Sequence, residues 1–168
     1  AVMMPSPYTA GISLEDAREM ARRLGVPAST IRYYDKEGLL PFVGRSSGGI
    51  RVFTEKDFEW LRIIECLKKT GMSLKDIREY IELAMQGDET IARRLELFRK
   101  QRTVLETRMA ELQQTMDTLD YKCWFYETAA ARGSTEGISD LPDEALPEAL
   151  RPVRERLRAA AEAETEEV

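Results

Sequence analysis

The fold of this chain is decided by the stretch Ser29-Thr30-Ile31-Arg32-Tyr33-Tyr34-Asp35-Lys36-Glu37-Gly38-Leu39-Leu40-Pro41. It combines polar and basic side chains suited to DNA bases, two tyrosines whose phenols can bind phosphate, and a Gly-Leu-Leu-Pro ending that stops a helix. Ile31 and Tyr34 are three residues apart and can share the inward face of that helix. The stretch therefore predicts a short DNA-reading helix.

The residues before this helix predict another helix and a tight turn. Ser13-Leu14-Glu15-Asp16 has the form of a capping box, and Gly25 can end the helix that it opens. The apolar positions of that helix are Ala17, Met20, Ala21 and Leu24. Pro27 suits the start of the next helix, because its missing N–H would have no intrahelical partner there. A helix-turn-helix lays the first residues of its second helix in the major groove, so the candidates for base and phosphate contacts are Ala28, Ser29, Thr30 and Arg32.

A glycine-rich turn between two short extended runs follows, from Gly44 to Phe53. Its small residues permit positive φ angles and a close approach of the backbone to a ligand. Arg45 and Arg51 flank the turn and can pair with phosphates or enter a minor groove. Directly after a helix-turn-helix, this pattern favours a DNA-binding wing. The alternative is an ordinary hairpin with solvated arginines.

The distribution of charge supports a nucleic-acid partner, although the total charge does not. The chain has 25 basic and 30 acidic residues and a net charge of −5, which argues against such a partner. Between Arg22 and Phe53, however, there are six basic and two acidic side chains, a local net charge of +4. The acidic excess lies mostly after residue 85, so the positive field coincides with the predicted DNA-reading elements.

Two further helices are predicted after the wing. Thr54 can cap the first, and Ser73 can cap the second, which Gly87 ends. The sequence therefore predicts a winged helix-turn-helix domain at residues 13–86, preceded by an N-terminal extension at residues 1–12.

From Ile91 onward the apolar residues alternate at spacings of four and three, which is a heptad repeat. Eleven of twelve seam positions carry an apolar side chain or a thiol; the positions are Ile91, Leu95, Phe98, Arg102, Leu105, Met109, Leu112, Met116, Leu119, Cys123, Tyr126 and Ala130. We predict a coiled-coil helix at residues 88–132, about 60 Å long, that pairs with the same helix of a second copy. The alternative is a helix folded back on its own domain. The predicted fold class is all-α with a small β wing: a winged helix-turn-helix domain followed by a long dimerising helix.

In four segments the chain resembles the MerR family of bacterial transcription regulators; the segments are Val26–Tyr34, Glu37–Pro41, Gly49–Arg51 and Gly71–Ile77. The resemblance implies a homodimer whose two long helices form an antiparallel coiled coil. It also implies that this dimer distorts double-stranded promoter DNA, and that an effector then makes the promoter usable by RNA polymerase. Twofold-related reading helices would address two half-sites of a palindromic promoter element. The resemblance also implies DNA contacts by Arg32, Tyr33, Arg45 and Arg51, and backbone contacts by Lys69 or Lys75.

Few residues are suited to sensing an effector. The chain has no histidine and two cysteines, so neither a metal site nor a cofactor is predicted. Cys66 has Arg62 and Lys69 on its side of the helix, and these cations can favour a reactive thiolate. The subgroup of the MerR family that responds to aldehydes or thiol stress is similar here, which implies a small electrophilic effector. The alternative is that Cys66, beside two isoleucines, packs as a small core residue.

Cys123 is the second candidate sensor, and it lies on the seam among aromatic residues. These aromatics occupy every side of the helix, more than a two-stranded seam can bury. They can bind a small apolar effector or join the two subunits; they are Tyr121, Trp124, Phe125 and Tyr126. Residues 133–168, rich in alanine and glutamate with three prolines, are predicted to form a flexible or partly helical tail.

Other function classes are disfavoured by what the sequence lacks. No nucleophile–base pair, phosphate-binding loop or metal motif appears, so the chain is not predicted to be an enzyme. Two alternatives to an effector-dependent regulator remain: an effector-free architectural DNA binder, and a coiled-coil protein-interaction module. The low cysteine count and the lack of a signal peptide or long apolar segment predict a cytoplasmic protein without membrane contact.

Overall fold

The computed structural model confirms the predicted all-α fold with a small β wing. The helices are α1 (Leu14–Leu24), α2 (Ala28–Lys36), α3 (Glu55–Lys69), α4 (Leu74–Gln86), α5 (Ile91–Arg132) and α6 (Arg151–Glu166), and the strands are β1 (Gly44–Arg45) and β2 (Arg51–Val52). Short 3₁₀ turns are formed by Asp88–Thr90, Asp143–Ala145 and Glu148–Leu150.

The structure describes residues 14–166, so the predicted N-terminal extension and the capping residue Ser13 lie outside the described residues. The chain divides into two compact units, of which the first ends at Leu105 and the second begins at Glu106. Within the described range, no helix combines the length and the apolar character that a membrane span needs.

The first unit has a hydrophobic core to which α1, α2, α3 and α4 all contribute. The apolar positions predicted for α1 point into it, since Ala17 and Ala21 are almost completely buried and Met20 is 8% exposed. From α2 the core receives Ile31 and Tyr34, as their spacing predicts. The other buried members are Leu39, Leu40, Val43, Leu61, Ile64, Met72, Ile77 and Ile81. Each large aliphatic side chain buried in this way contributes about 1.5–3 kcal/mol, so the core fixes which face of α2 points outward.

Short-range capping sets the starts of α3 and α4. The Asp57 N–H donates to the Thr54 hydroxyl at 3.3 Å, and the Thr54 N–H donates to the Asp57 carboxylate at 2.9 Å, which completes a capping box. At the start of α4 the Asp76 N–H donates to the Ser73 hydroxyl at 3.1 Å. Both helices therefore begin where the sequence predicts, and they bring their side chains to fixed positions beside α2.

The wing is a two-stranded antiparallel hairpin in which Arg45 pairs with Arg51. Its turn is closed by two hydrogen bonds: the Ser46 N–H donates to the Ile50 carbonyl at 2.8 Å, and the Gly49 N–H donates to the Ser46 carbonyl at 2.9 Å. Gly49 has a φ of +78°, which a residue with a Cβ adopts only at a cost. The predicted glycine-rich turn is thus present, between strands of only two residues each.

Helix α5 is a single uninterrupted helix of 42 residues, as the heptad repeat predicts. The described chain leaves its apolar seam uncovered, since Leu112 is 69% exposed and Met109 is 63% exposed. The other seam residues that are at least 41% exposed are Ile91, Leu95, Leu105, Met116, Leu119 and Tyr126. The seam residue Phe98 packs at the edge of the first unit's core, and the pairing of the exposed seam with a second copy stays a prediction.

In the second unit the C-terminal part of the chain packs against α5. Tyr121 of α5 is 8% exposed and lies in an apolar cluster with Leu146 and Val153. Partly buried side chains complete this cluster: Trp124, Leu141, Leu150 and Leu157. Of the two interpretations given for residues 133–168, flexible or partly helical, the described residues to Glu166 support the helical one.

Arginines of α6 fix it to the chain that precedes it. Arg154 is 4% exposed, donates to the Leu141 carbonyl at 2.6 Å and pairs with Asp143. Arg156 donates to the Gln114 carbonyl of α5 at 3.0 Å. Tyr121 lies two residues from the seam positions on either side of it, which places it across the helix from the seam. Helix α6 therefore packs without covering the seam.

Candidate nucleic-acid interface

The outward face of α2 carries the side chains predicted to read DNA. Three exposed side chains lie on this face of the nine-residue helix: Ser29, Arg32 three residues later, and Tyr33 directly after it. The Tyr33 side chain is 48% exposed, although tyrosine is large and partly apolar. Ala28 and Thr30 are half-buried at the start of the helix. The structure thus brings the predicted contact residues together on α2, with Ala28, Ser29 and Thr30 in its first turn, where helix-turn-helix proteins meet the major groove.

Arg51 does not extend into the solvent, as its predicted contact with DNA requires. Its side chain is 6% exposed, and its Nε donates to Asp35 Oδ1 of α2 at 2.7 Å. Its Nη1 donates to the carbonyls of Leu40 and Val43, each at 2.8 Å. These contacts hold the base of the wing against α2. The prediction that Arg51 contacts DNA is corrected accordingly: its guanidinium positions the wing and is turned away from the solvent.

Arg45 occupies the neighbouring wing position and is half-buried. Its Nη1 donates to the Gly49 carbonyl at 2.7 Å, so the side chain supports the wing turn. A DNA contact by the rest of this guanidinium stays a prediction.

Lys69 and Lys75 are the two lysines predicted to touch the DNA backbone. Lys69 is the last residue of α3, Lys75 is the second residue of α4, and both are exposed. Their long side chains are therefore accessible to phosphate, and their role as backbone contacts stays a prediction.

A hydrogen-bond network between α2 and α3 was not predicted from the sequence. The hydroxyl of Tyr34, a residue that is 1% exposed, donates to the Glu65 carboxylate, and Lys68 Nζ donates to the same hydroxyl at 2.6 Å. Burial, and then the hydrogen bond to Glu65, raise the pKa of Tyr34 well above its ordinary value, so the hydroxyl remains protonated. The prediction that the Tyr34 phenol binds phosphate is wrong, because the hydroxyl is already engaged inside the protein.

Cys66 is exposed on α3. The alternative that it packs as a small core residue is therefore wrong in this chain, although its neighbour Ile64 is fully buried. Both predicted companions of the thiol, Arg62 and Lys69, line the same open cleft of about 300 Å³ as Cys66. The thiol is thus accessible to a small solute beside two cationic side chains.

The far side of this cleft is held in place by Arg23. Its guanidinium forms two hydrogen bonds with the Glu55 carboxylate at 2.7 and 2.8 Å, and it lies 3.8 Å from the centroid of the Phe58 ring. Leu24 and Glu65 complete the lining. The cleft therefore joins α1 to the face of α3 that carries Cys66.

The aromatic residues near Cys123 do not form one open pocket. Tyr121 is buried against the chain's own C-terminal part, with its ring centroid 5.8 Å from that of Trp124, whereas Tyr126 is 61% exposed. Phe125 lies between the buried Tyr121 and the exposed Tyr126, with its ring centroid 5.2 Å from that of Tyr126. The effector pocket predicted from Tyr121, Trp124, Phe125 and Tyr126 is therefore corrected, because the C-terminal part already covers its buried half. Cys123 itself is exposed on α5.

Within residues 14–166, no group of three or more cysteine, aspartate or glutamate side chains is placed to hold a metal ion. The chemistry available at this surface is therefore hydrogen bonding and ion pairing with an anionic polymer, together with the one accessible thiol of the α3 cleft.

Comparison with protein families gives two matches. A family described as MerR HTH family regulatory protein matches residues 16–84, which span α1 to α4 and the wing. A second family, described as MerR, DNA binding, matches residues 58–121, which span most of α3, α4 and part of α5.

Individual proteins agree with these families. An uncharacterized HTH-type transcriptional regulator of Haemophilus influenzae is 49% identical over 119 residues, which cover 71% of this chain and 88% of that protein. The HTH-type transcriptional regulator AdhR of Bacillus subtilis is 36% identical over 84 residues, covering 50% of this chain and 60% of AdhR. A crystal structure of HiNmlR, a MerR family regulator lacking the sensor domain and bound to promoter DNA, is 48% identical with a TM-score of 0.55. That match covers 72% of this chain and 96% of HiNmlR.

Proposed function

This chain belongs to the MerR family of DNA-binding transcriptional regulators, and from that membership we propose that it binds a palindromic promoter element as a homodimer and responds to a reactive effector. One observation carries the DNA-binding part of this proposal. The outward face of α2 exposes Ser29, Arg32 and Tyr33 while its inward face is fixed in the core. Support also comes from HiNmlR, which was crystallised on promoter DNA.

The exposed seam of α5 supports a second copy of the chain as the partner. A solvated helix face is usually polar, whereas this row contains exposed apolar side chains such as Leu112 and Met109. Burying the row against a partner releases ordered water. Heptad seams of this length pair most simply with an identical helix. Two copies of α2 related by a twofold axis would then meet two half-sites of one DNA site.

We place the regulatory step in the promoter DNA itself. A dimer that bends or untwists the DNA between its half-sites can change how RNA polymerase meets the promoter without touching the polymerase. In this view the effector changes the DNA distortion. An architectural DNA binder without an effector would bind unrelated sequences almost equally well, which separates the two functions experimentally.

Arg32→Ala is expected to weaken binding to the DNA upstream of the protein's own coding sequence by roughly 10- to 100-fold. An arginine that bonds a base edge contributes about 1–3 kcal/mol, and its loss also relaxes sequence preference at that base. Equilibrium filter binding at fixed salt, on this promoter DNA and on a scrambled duplex, measures both effects. Arg132→Ala, at the far end of α5, is the matched control and is expected to bind like the wild type. Promoter affinity unchanged in Arg32→Ala would exclude a base-reading role for α2.

Cys66 is our candidate for the effector site, with a small aldehyde as the effector class. The sulfur would add to the aldehyde carbon while the carbonyl oxygen takes the thiol proton, which forms a hemithioacetal and needs no oxidant. The thiol is exposed in a cleft that Arg62 and Lys69 also line, so a small aldehyde can reach the sulfur.

Cys66→Ser is expected to abolish the response to acetaldehyde while leaving the aldehyde-free promoter affinity within about twofold, because serine keeps the size of the side chain but is a weak nucleophile. Promoter affinity and promoter opening, the latter by permanganate footprinting, are measured with and without acetaldehyde. Cys123→Ser, which removes the other thiol, is expected to respond like the wild type. A response retained in Cys66→Ser would exclude this cysteine as the sensor.

A further inference from the structure

We propose that Glu65 and Lys68 are positioning residues for the DNA-reading helix α2, acting through the hydroxyl of Tyr34, and that Glu65 links this network to the Cys66 cleft. The positioning role stands by itself. The link to the cleft rests on the proposed sensing function of Cys66.

Three side chains contact one another in this hydrogen-bond network. The Tyr34 hydroxyl donates to the Glu65 carboxylate and accepts from Lys68 Nζ at 2.6 Å, and the same ammonium lies 3.7 Å from Glu65 Oε1. The Glu65 side chain is half-buried, at 20% exposed, whereas the Lys68 side chain is exposed, at 38%. Hydrogen bonds with one charged partner are about twice as strong as neutral ones, so the Tyr34 hydroxyl is held firmly.

Helix α2 needs directional contacts to keep its orientation in the domain. It has nine residues, and Pro27, at the N-cap position before its first residue, provides no side-chain cap. Its two buried side chains, Ile31 and Tyr34, pack in the core, but apolar packing is not directional and leaves a short helix free to rotate slightly. A hydrogen bond fixes both a distance and an angle, so the Tyr34 hydroxyl can define that rotation.

The directional contacts of α2 are concentrated at its C-terminal half. Tyr34 is bonded to α3, and the next residue, Asp35, is bonded to Arg51 of the wing. The N-terminal half, which carries Ser29 and Arg32, is thereby oriented by two adjacent anchors without being obstructed. A rotation allowed at Tyr34 is carried to Arg32 because both belong to one rigid helix.

Glu65 lies between two clefts of the first unit. On one side it lines the cleft that contains Cys66. Through Tyr34 and Lys68 it reaches a second cleft, which is also lined by Ser29, Thr30 and Tyr33 of α2. A covalent adduct on Cys66 changes what the adjacent Glu65 carboxylate can contact. Because Glu65 holds the Tyr34 hydroxyl, such a change alters the anchor of α2 next to its DNA-contacting side chains.

Tyr34→Phe tests the positioning role without any effector, because phenylalanine keeps the buried ring and removes only the hydroxyl. The measured quantity is the ratio of dissociation constants for scrambled and promoter DNA, at several salt concentrations. We expect this ratio to fall roughly 5- to 10-fold in Tyr34→Phe and in Glu65→Gln, with an unchanged salt slope, since no phosphate contact is lost. Glu59→Gln, an exposed carboxylate on the same helix, is expected to keep the wild-type ratio.

An unchanged ratio in Tyr34→Phe would overturn the positioning role. If the affinity for both DNAs also falls equally, in step with the fraction of folded protein, the hydroxyl serves stability alone.

The link to the Cys66 cleft is tested in a Cys123→Ser background, where Cys66 is the one remaining thiol. Protection of this thiol from a thiol-titrating reagent measures formation of the acetaldehyde adduct. We expect Tyr34→Phe to form the adduct normally but to lose the change in promoter affinity. A response that persists in Tyr34→Phe overturns the link. If the parent protein with tyrosine at position 34 forms no adduct, the sensing function and the link both fail, and the aldehyde-free ratio alone decides the positioning role.

Discussion

Arg51→Ala is expected to lower the free energy of unfolding by about 3–5 kcal/mol. Removing one member of a buried ion pair leaves the other as an uncompensated buried charge, here Asp35, whose side chain is 12% exposed. The same substitution removes donors from the carbonyls of Leu40 and Val43. A loss of this size is a large part of the stability of an ordinary domain, and urea unfolding followed by circular dichroism measures it.

Two variants control this experiment. Arg62→Ala removes an arginine that pairs with Glu59 at 3.7 Å while 64% exposed, and it is expected to change stability by less than about 0.5 kcal/mol. Asp35→Ala combined with Arg51→Ala is expected to destabilise less than the sum of the single changes, because neither charge is then left alone. An Arg51→Ala variant as stable as Arg62→Ala would show that the ion pair does not hold the wing.

Leu112→Glu is expected to convert the protein to a monomer and to weaken promoter binding by roughly 100-fold or more. In the proposed dimer the new carboxylate would lie in an apolar seam, and the two binding halves would lose the benefit of acting on one DNA molecule. Sedimentation equilibrium and filter binding on the same promoter DNA measure the two effects. Ala110→Glu introduces the same charge at an exposed position off the seam and is expected to remain dimeric. If Leu112→Glu still forms dimers, the seam is not the dimer interface.

Helix boundaries could be predicted because their causes are local. Thr54 and Ser73 cap α3 and α4 through hydrogen bonds that span three residues, and Gly87 follows the last residue of α4. The buried face of α1 could also be predicted, because Ala17, Met20 and Ala21 recur at helical spacing. The fold therefore follows from signals that are complete within short windows of the sequence.

The roles of Arg51 and Tyr34 could not be predicted in the same way. Arg51 meets Asp35 across 16 positions of the sequence, and Tyr34 meets Glu65 across 31. A wing arginine that binds phosphate and one that holds a carboxylate have the same sequence signature. Which of the two occurs depends on how the wing packs on α2, and that is a property of the folded chain.

The exposure of Cys66 could have been predicted from its position around helix α3. Leu61 and Ile64 are fully buried and mark the inner face of α3. Cys66 follows Ile64 by two positions, a rotation of about 200° that turns it away from that face. Its apolar neighbours in sequence favoured burial, but position around the helix decides exposure.

The two tryptophans of the chain lie in different units, and each reports on its own surroundings. Trp60 stacks on Phe42 with ring centroids 5.5 Å apart in the first unit, and Trp124 lies beside Tyr121 in the second. Replacing either with phenylalanine leaves a single indole emitter. Its fluorescence then follows the unfolding of one unit alone, so the two spectra together reveal whether the DNA-reading unit and the C-terminal unit melt in one transition or in two.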